Sequence, residues 1–187
     1  MDFERLWAPW RLDYITGTDQ SSGKSPQDEV GEPSQYLDGA DASCFLCRDA
    51  AQYEDQPRAD RAHRVVRRTQ HTVSMLNIHP YNNGHLLIAP RRHASRLDAL
   101  TDHEHREIQQ MLATSIEVLE RGMNADGFNV GLNLGRAAGA GIPDHLHWHV
   151  VPRWQGDSNF MPVLAGTRVI PQSLDTLWEW LSEALAE

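Results

Sequence analysis

The chain has 187 residues, enough for one domain with a sizeable core, and its formal net charge of −9 excludes a general nucleic-acid binder, which would need a basic face. No apolar run reaches the roughly 18 residues of a membrane span, and the N-terminus lacks a basic-then-apolar signal pattern. We therefore expect a soluble cytoplasmic protein that binds no nucleic-acid polymer and no membrane. Two cysteines are too few for a disulfide framework.

The first part of the chain divides into two segments of different composition. Residues 1–17 are rich in aromatic side chains, which are rarely left in water, so we expect an arm that docks on the body of the protein. Residues 18–42 hold hardly any large apolar side chain, which predicts a flexible insertion. The structured body is expected to begin at Cys44, with a short helix within 48–59.

Three runs of β-branched and apolar residues then predict strands. They are Val65-Val66, Thr72–Leu76 and His85–Ala89, with turn chemistry at His79–Gly84 between the last two.

A long amphipathic helix is predicted from Thr101, an N-cap residue with Glu104 as its capping-box partner. Gly122 and Asn124 are expected to end it. A strand at 128–133 and a helix capped by Ser173 complete a pattern that we classify as α+β.

The most informative stretch is Asp144 to Trp154. Within it His145, His147 and His149 alternate with large apolar residues. Since side chains on a strand point to opposite faces in turn, the stretch predicts a strand with three imidazoles on one face. A metal-binding tract or a chance cluster would not require this strict alternation.

The sequence His-Leu-His-Trp-His-Val-Val at 145–151 resembles the signature of the histidine triad (HIT) family of nucleotide hydrolases and transferases. The similarity covers roughly Cys44 to Trp154 and is greatest to the bacterial branch that contains diadenosine tetraphosphate phosphorylases. It implies an antiparallel sheet of about five strands beside a long helix, together with a C-terminal helix and a homodimer. We expect one HIT domain over 1–187, with its core at 43–154 and a C-terminal extension at 155–187.

The resemblance also assigns roles to individual residues. His147 would be the nucleophile that forms a nucleotidyl-histidine, and His149 would bind phosphate and assist the leaving group. His85 matches the family's fourth histidine, and Asn77 stands where the family places a ribose-binding Asp or Asn. Without the resemblance, turn and strand-end hydrogen bonding would be the simpler role for His85 and Asn77.

The glycine-rich loop before the triad is a candidate phosphate cradle, because glycine lets backbone N–H groups approach an anion closely. We expect Asn133, Gly139 and Gly141 to contribute to it. Many family members carry a serine here whose hydroxyl contacts phosphate. This chain has Gly-Ala-Gly-Ile-Pro at 139–143, without a hydroxyl, which disfavours phosphorolysis.

Cys44 and Cys47 form a Cys-x-x-Cys pair, which by itself fits half a zinc site, a redox pair or two buried small residues. The family resemblance implies that His93 and His145 complete a structural Cys₂His₂ zinc site. No organic cofactor is expected.

A phosphate site in an acidic chain must be locally positive. Seven arginines of the predicted core are candidates for it, although a solvated surface charge is the simpler interpretation for most of them: Arg64, Arg67, Arg68, Arg91, Arg92, Arg136 and Arg153. The remaining histidines show no partner pattern and are expected at the surface: His63, His71, His79, His103 and His105.

Three classes of function remain at this point. The first is an enzyme that cleaves the α-phosphate bond of an AMP-containing nucleotide, either a dinucleoside polyphosphate such as diadenosine tetraphosphate, a nucleoside phosphoramidate or a nucleotidyl sulfate. It would be a hydrolase or, alternatively, a phosphorylase. The second is a nucleotide-binding regulatory module with little turnover. The third is a zinc scaffold, which His147 and His149 fit poorly because no second pair of thiols exists.

Overall fold

The computed structural model describes Gln27, residues 30–157 and residues 170–186. The predicted aromatic arm (1–17) and the first part of the predicted insertion lie outside the described residues. The described part of that insertion contacts the body through a β-bridge between Gln35 and Gln52.

The described residues form four helices and five strands, which we number in chain order. The helices are α1 (Phe45–Ala50), α2 (Gln56–Ala62), α3 (Asp102–Met123) and α4 (Leu174–Ala184), and single 3₁₀ turns occur at Leu97–Ala99 and Arg136–Ala138. The strands are β1 (Val65–Arg68), β2 (Thr72–Leu76), β3 (Leu86–Pro90), β4 (Gly127–Leu132) and β5 (Trp148–Arg153). The short helix predicted within 48–59 is replaced by α1 and α2, because Asp55 caps a new helix by accepting from the Arg58 amide.

The strands make one antiparallel sheet in the order β1-β2-β3-β5-β4, which confirms the α+β prediction. Alternate residues of β3 serve two cores: Leu86 and Ile88 pack with α3, whereas Leu87 and Ala89 pack with α1. His149 pairs with Leu87 across the sheet. Directly opposed residues share a face, so His149 lies on the α1 face, away from α3.

The start of α3 is held by the predicted capping box between Thr101 and Glu104. Burial raises the pKa of Glu104, but hydrogen bonds from Arg92 and Thr101 outweigh it and lower this pKa to about 2. The helix ends at Met123 and left-handed Asn124 caps it, which confirms the predicted end at Asn124, whereas Gly122 lies within the last turn. Gly122 instead makes room for α4, since a Cβ there would lie 1.8 Å from the Trp180 ring.

The two edges of the sheet differ. Helix α4 covers β1: Trp178 donates to the Val65 carbonyl at 2.8 Å, and Arg64 pairs with Asp175 at 2.5 Å. Strand β4 forms the other edge, where the side chains of Val130 and, just beyond it, Leu134 are exposed. None of the described helices has the length and apolar character needed to cross a membrane.

Candidate active site

The triad histidines do not all lie on a strand. Strand β5 begins at Trp148 rather than at Asp144 as predicted, so His145 and His147 precede it. A turn at Pro143-Asp144 leads into this segment, and the Leu146 amide donates to the Ala94 carbonyl at 2.7 Å instead of joining the ladder. Trp148, the first residue of the strand, packs in the core that contains α3.

His147 is held in a defined tautomer by its neighbour. Its Nδ1 lies 2.9 Å from the His145 carbonyl oxygen. A carbonyl can only accept, so Nδ1 carries the hydrogen and Nε2 keeps a lone pair. Burial lowers the pKa of His147, which favours the neutral imidazole. These are the properties that a histidine nucleophile requires.

His149 is held in the opposite sense by a chain of hydrogen bonds. The Tyr81 amide donates to Nδ1 of His85 at 3.0 Å, and the Asn77 side-chain nitrogen lies 3.3 Å from the same atom. In the neutral ring His85 therefore carries its hydrogen on Nε2, which lies 2.9 Å from Nδ1 of His149. His149 then carries its own hydrogen on Nε2. Nε2 of His149 can therefore donate a hydrogen bond, whereas Nε2 of His147 can act as a nucleophile. The centroids of the two rings lie 5.2 Å apart.

Tyr81 also lies beside these histidines, a position that was not predicted from the sequence. Its ring centroid lies 4.8 Å from that of His85 and 5.7 Å from that of His149, nearly parallel to the latter. The available signal was an aromatic residue in the Pro-Tyr-Asn-Asn-Gly turn immediately before His85. Asn77, which was assigned to the site, also accepts from the His79 amide at 2.9 Å through its side-chain oxygen.

The loop between β4 and β5 folds back on itself. The Gly139 amide donates to the Arg136 carbonyl at 3.0 Å, and the Ala140 amide donates to the Gly135 carbonyl at 3.3 Å. Gly139 has a φ of +83°, which favours glycine. Gly139 and Gly141 are exposed and Asn133 is half-buried. Of the residues expected to cradle phosphate, Gly139 therefore has its amide engaged within the loop, as does its neighbour Ala140.

Cys44, Cys47, His93 and His145 come together, with all four ligand atoms within 4.8 Å of one another. Nδ1 of His145 lies 3.4 Å from the Cys44 sulfur, and Nδ1 of His93 lies 3.2 Å from the Cys47 sulfur. A tetrahedral zinc site with Zn–S of about 2.3 Å and Zn–N of about 2.1 Å would separate sulfur and nitrogen by about 3.5 Å.

The hydrogen-bond partner of His145 also suits a metal. Nε2 of His145 lies 2.9 Å from the Pro90 carbonyl oxygen, so it carries the hydrogen and Nδ1 offers a lone pair to the cluster. Hydrogen bonding from Cys47 lowers the pKa of Cys44, while the same contact raises the pKa of Cys47. The four residues form a closed donor set that can hold a metal ion.

Six of the seven candidate arginines are committed elsewhere. Arg64, Arg68, Arg92 and Arg153 pair with carboxylates, while Arg67 and Arg91 donate to backbone carbonyls. Arg136 is exposed in the loop before the triad and forms no ion pair with any residue that the structure describes.

The prediction that His63 lies at the surface is wrong. It is buried, and its Nδ1 lies 2.7 Å from a carboxylate oxygen of Asp49, which is also buried. The Tyr53 ring packs on it at 5.3 Å. Burial raises the pKa of Asp49. The acidic partner, contributed by α1, explains why a histidine is tolerated there.

Comparison with known proteins places the chain in a family. A model of the HIT domain matches residues 58–156, and AP-4-A phosphorylase of Mycobacterium tuberculosis is 37% identical over 175 residues, which cover 91% of this chain and 78% of that protein. The chain therefore belongs to the HIT family, as the sequence resemblance indicated.

Two further relatives bear on the site. The asymmetrical bis(5'-nucleosyl)-tetraphosphatase of Schizosaccharomyces pombe is 32% identical over 93 residues, which cover 50% of each chain. A Zn-bound histidine triad family protein of Mycobacterium smegmatis superimposes with a TM-score of 0.54 at 28% identity, covering 65% of this chain and 83% of the other. Since related proteins of this family are named as enzymes, we class the chain as a HIT-family enzyme.

Proposed function

We propose that the protein cleaves an AMP-containing nucleotide at its α-phosphate, with a dinucleoside polyphosphate such as diadenosine tetraphosphate as the substrate. The observation that carries this proposal is the pair of opposite tautomers, a lone pair on Nε2 of His147 beside an N–H on Nε2 of His149. The names of two relatives, a phosphorylase and a tetraphosphatase, support the substrate class.

In the first step Nε2 of His147 attacks the α-phosphorus. A phosphorus–nitrogen bond forms, the bond to the polyphosphate breaks, and the leaving oxygen takes the electron pair. Because a polyphosphate oxygen carries negative charge readily in water, a hydrogen bond from Nε2 of His149 is sufficient to stabilise its departure. The imidazole becomes positively charged, and the His145 carbonyl stabilises it by accepting from Nδ1.

In the second step an acceptor attacks the nucleotidyl-His147. Water would give AMP and release one proton to solvent, whereas inorganic phosphate would give ADP. In both cases the electron pair of the phosphorus–nitrogen bond returns to His147. The engaged amides of Gly139 and Ala140 and the absent serine favour water. The name of the Mycobacterium tuberculosis relative favours phosphate and makes phosphorolysis the second candidate.

We further propose that Cys44, Cys47, His93 and His145 hold one structural zinc ion. Support comes from the donor geometry and from the zinc in the related Mycobacterium smegmatis protein. The ion would join α1 to the end of β3 and to the segment before β5, and it would take no part in the chemical steps.

A homodimer is the final part of the proposal, with the β4 edge as its interface. The β1 edge is covered by α4, whereas β4 ends in exposed apolar side chains. A second copy can pair with this edge by strand addition, which would satisfy its backbone groups and cover Val130.

Replacing His147 tests the nucleophile and the competing regulatory-module interpretation together. His147→Ala should lower turnover of diadenosine tetraphosphate by at least about a thousandfold, because the covalent step is lost, while nucleotide binding persists. The control His103→Ala alters an exposed histidine of α3 and should leave the rate unchanged. Steady-state rates and a mass-spectrometric search for an AMP adduct measure this, and near-normal turnover in His147→Ala would contradict the assignment.

Product partitioning identifies the second nucleophile. With diadenosine tetraphosphate and millimolar phosphate, we expect AMP as a major product beside ATP, because one missing hydrogen bond to a charged group costs about tenfold to a hundredfold in rate. Gly141→Ser should shift products towards ADP, because it returns a hydroxyl group to the loop beside the triad. Ala140→Ser is the matched control. If the unchanged protein yields ADP and no AMP, hydrolysis is excluded.

Zinc content tests the metal proposal. Purified protein should hold about one zinc ion per chain by elemental analysis and lose thermal stability when the metal is chelated. Cys44→Ser should lose the ion, whereas His103→Ala should keep it. Protein that melts at the same temperature with and without chelator has no structural zinc.

Light scattering tests the dimer. The mass in solution should be twice the 21.2 kDa of the chain, and Val130→Glu should reduce it to that of one chain, because it places a charge in the interface. Leu97→Glu, which changes an exposed apolar residue away from β4, should remain dimeric. A monomeric unmodified protein refutes the interface.

A further inference from the structure

Arg136, one of the seven candidate arginines, has a side chain that forms no ion pair with any residue that the structure describes. It begins the 3₁₀ turn of the loop between β4 and β5, and its side chain is exposed. The other six candidate arginines each bind a carboxylate or a backbone carbonyl. A chain with a net charge of −9 must supply local positive charge wherever it binds a polyphosphate.

Three backbone amides of the loop are already engaged. The amides of Ala138, Gly139 and Ala140 all donate to carbonyls of Gly135 or Arg136 within the same turn. An anion bound beside this loop therefore cannot rely on these three donors. The guanidinium of Arg136 offers five N–H groups and a full charge at the same place in the chain.

The register of the sheet places this loop beside the nucleophile. Leu132 pairs with Trp148, so the next residues along each strand, Asn133 and His147, adjoin one another across the end of the ladder. Arg136 is the third residue after Asn133, so their Cα atoms are at most about 10 Å apart. The long side chain of Arg136 extends this reach, which brings phosphates next to His147 within range.

We propose that Arg136 binds the phosphates beyond the α-phosphate, and so selects nucleotides with an anionic polyphosphate leaving group over AMP conjugates with a neutral one. This inference rests on the function proposed above. Arg136 would bind the leaving group through bidentate hydrogen bonds, as guanidinium groups bind phosphate. It would also stabilise the negative charge that accumulates on the leaving group when the bond to phosphorus breaks.

The test compares two substrates in three variants. Arg136→Gln should lower kcat/KM for diadenosine tetraphosphate by about tenfold to a hundredfold, and that for adenosine 5'-phosphoramidate by less than about twofold. Arg136→Lys, which retains the charge, should keep part of the activity. Arg106→Gln removes an exposed charge from α3, on the opposite face of the sheet, and should affect neither substrate. Equal losses on both substrates, or no loss on either, would overturn the proposal.

A binding measurement separates this proposal from the proposed reaction. The measurement uses a His147→Ala background, which cannot turn over substrate by the proposed route. Calorimetry should show that Arg136→Gln weakens the binding of diadenosine tetraphosphate by about tenfold and the binding of AMP by less than about twofold. Unchanged affinity for diadenosine tetraphosphate would show that Arg136 is only a solvated surface charge. If weakening is seen but the unmodified protein never cleaves this nucleotide, Arg136 keeps its role and the proposed reaction fails.

Discussion

The site depends on the way in which His145 satisfies its hydrogen-bonding groups while fully buried. Its Nε2 donates to the Pro90 carbonyl, and its own carbonyl accepts from Nδ1 of His147. Buried polar groups must find partners, so both contacts are strongly favoured. The first turns Nδ1 of His145 towards the two thiols, and the second leaves the lone pair of His147 on Nε2. One residue therefore connects the metal-binding cluster to the candidate nucleophile.

Two chemically identical imidazoles receive opposite roles from two backbone groups. A carbonyl, that of His145, places the hydrogen of His147 on Nδ1. An amide, that of Tyr81, fixes the tautomer of His85 and through it that of His149. Backbone groups cannot change their donor or acceptor character, so both assignments start from a partner whose role is fixed.

Most of the candidate arginines are already bound to other groups of the protein. Most arginines of the core are used for docking: Arg64 binds α4, and Arg92 helps to hold the start of α3. Among the residues that the structure describes, these contacts leave few of the candidate arginines available to bind phosphate. The loop before β5 carries Arg136, whose exposed side chain can supply positive charge there, while three amides of the loop are bonded within it.

Local patterns in the sequence determined much of the fold. Thr101 and Glu104 predict the start of α3, and Ser173 predicts the start of α4. Both caps are present in the structure. The β-branched runs gave β1 to β3 within a few residues. Helix caps and hydrophobic periodicities depend only on residues a few positions apart in the chain, which is why the sequence predicts them well. The triad and the Cys/His cluster also followed from the sequence, the cluster with the help of the family resemblance.

Only the tertiary structure decided the features that join distant parts of the chain. Gly122 resembled a helix-ending glycine, but glycine is needed there because the ring of Trp180 in α4 occupies the space of a side chain. His63 looked exposed, but Asp49 compensates its burial. The alternation around His147 predicted one continuous strand. In the structure the Leu146 amide bonds to Ala94 and the His145 ring bonds to Pro90, and β5 begins only at Trp148. Each outcome depends on a partner far away in sequence, and no local pattern encodes which partner will be in contact.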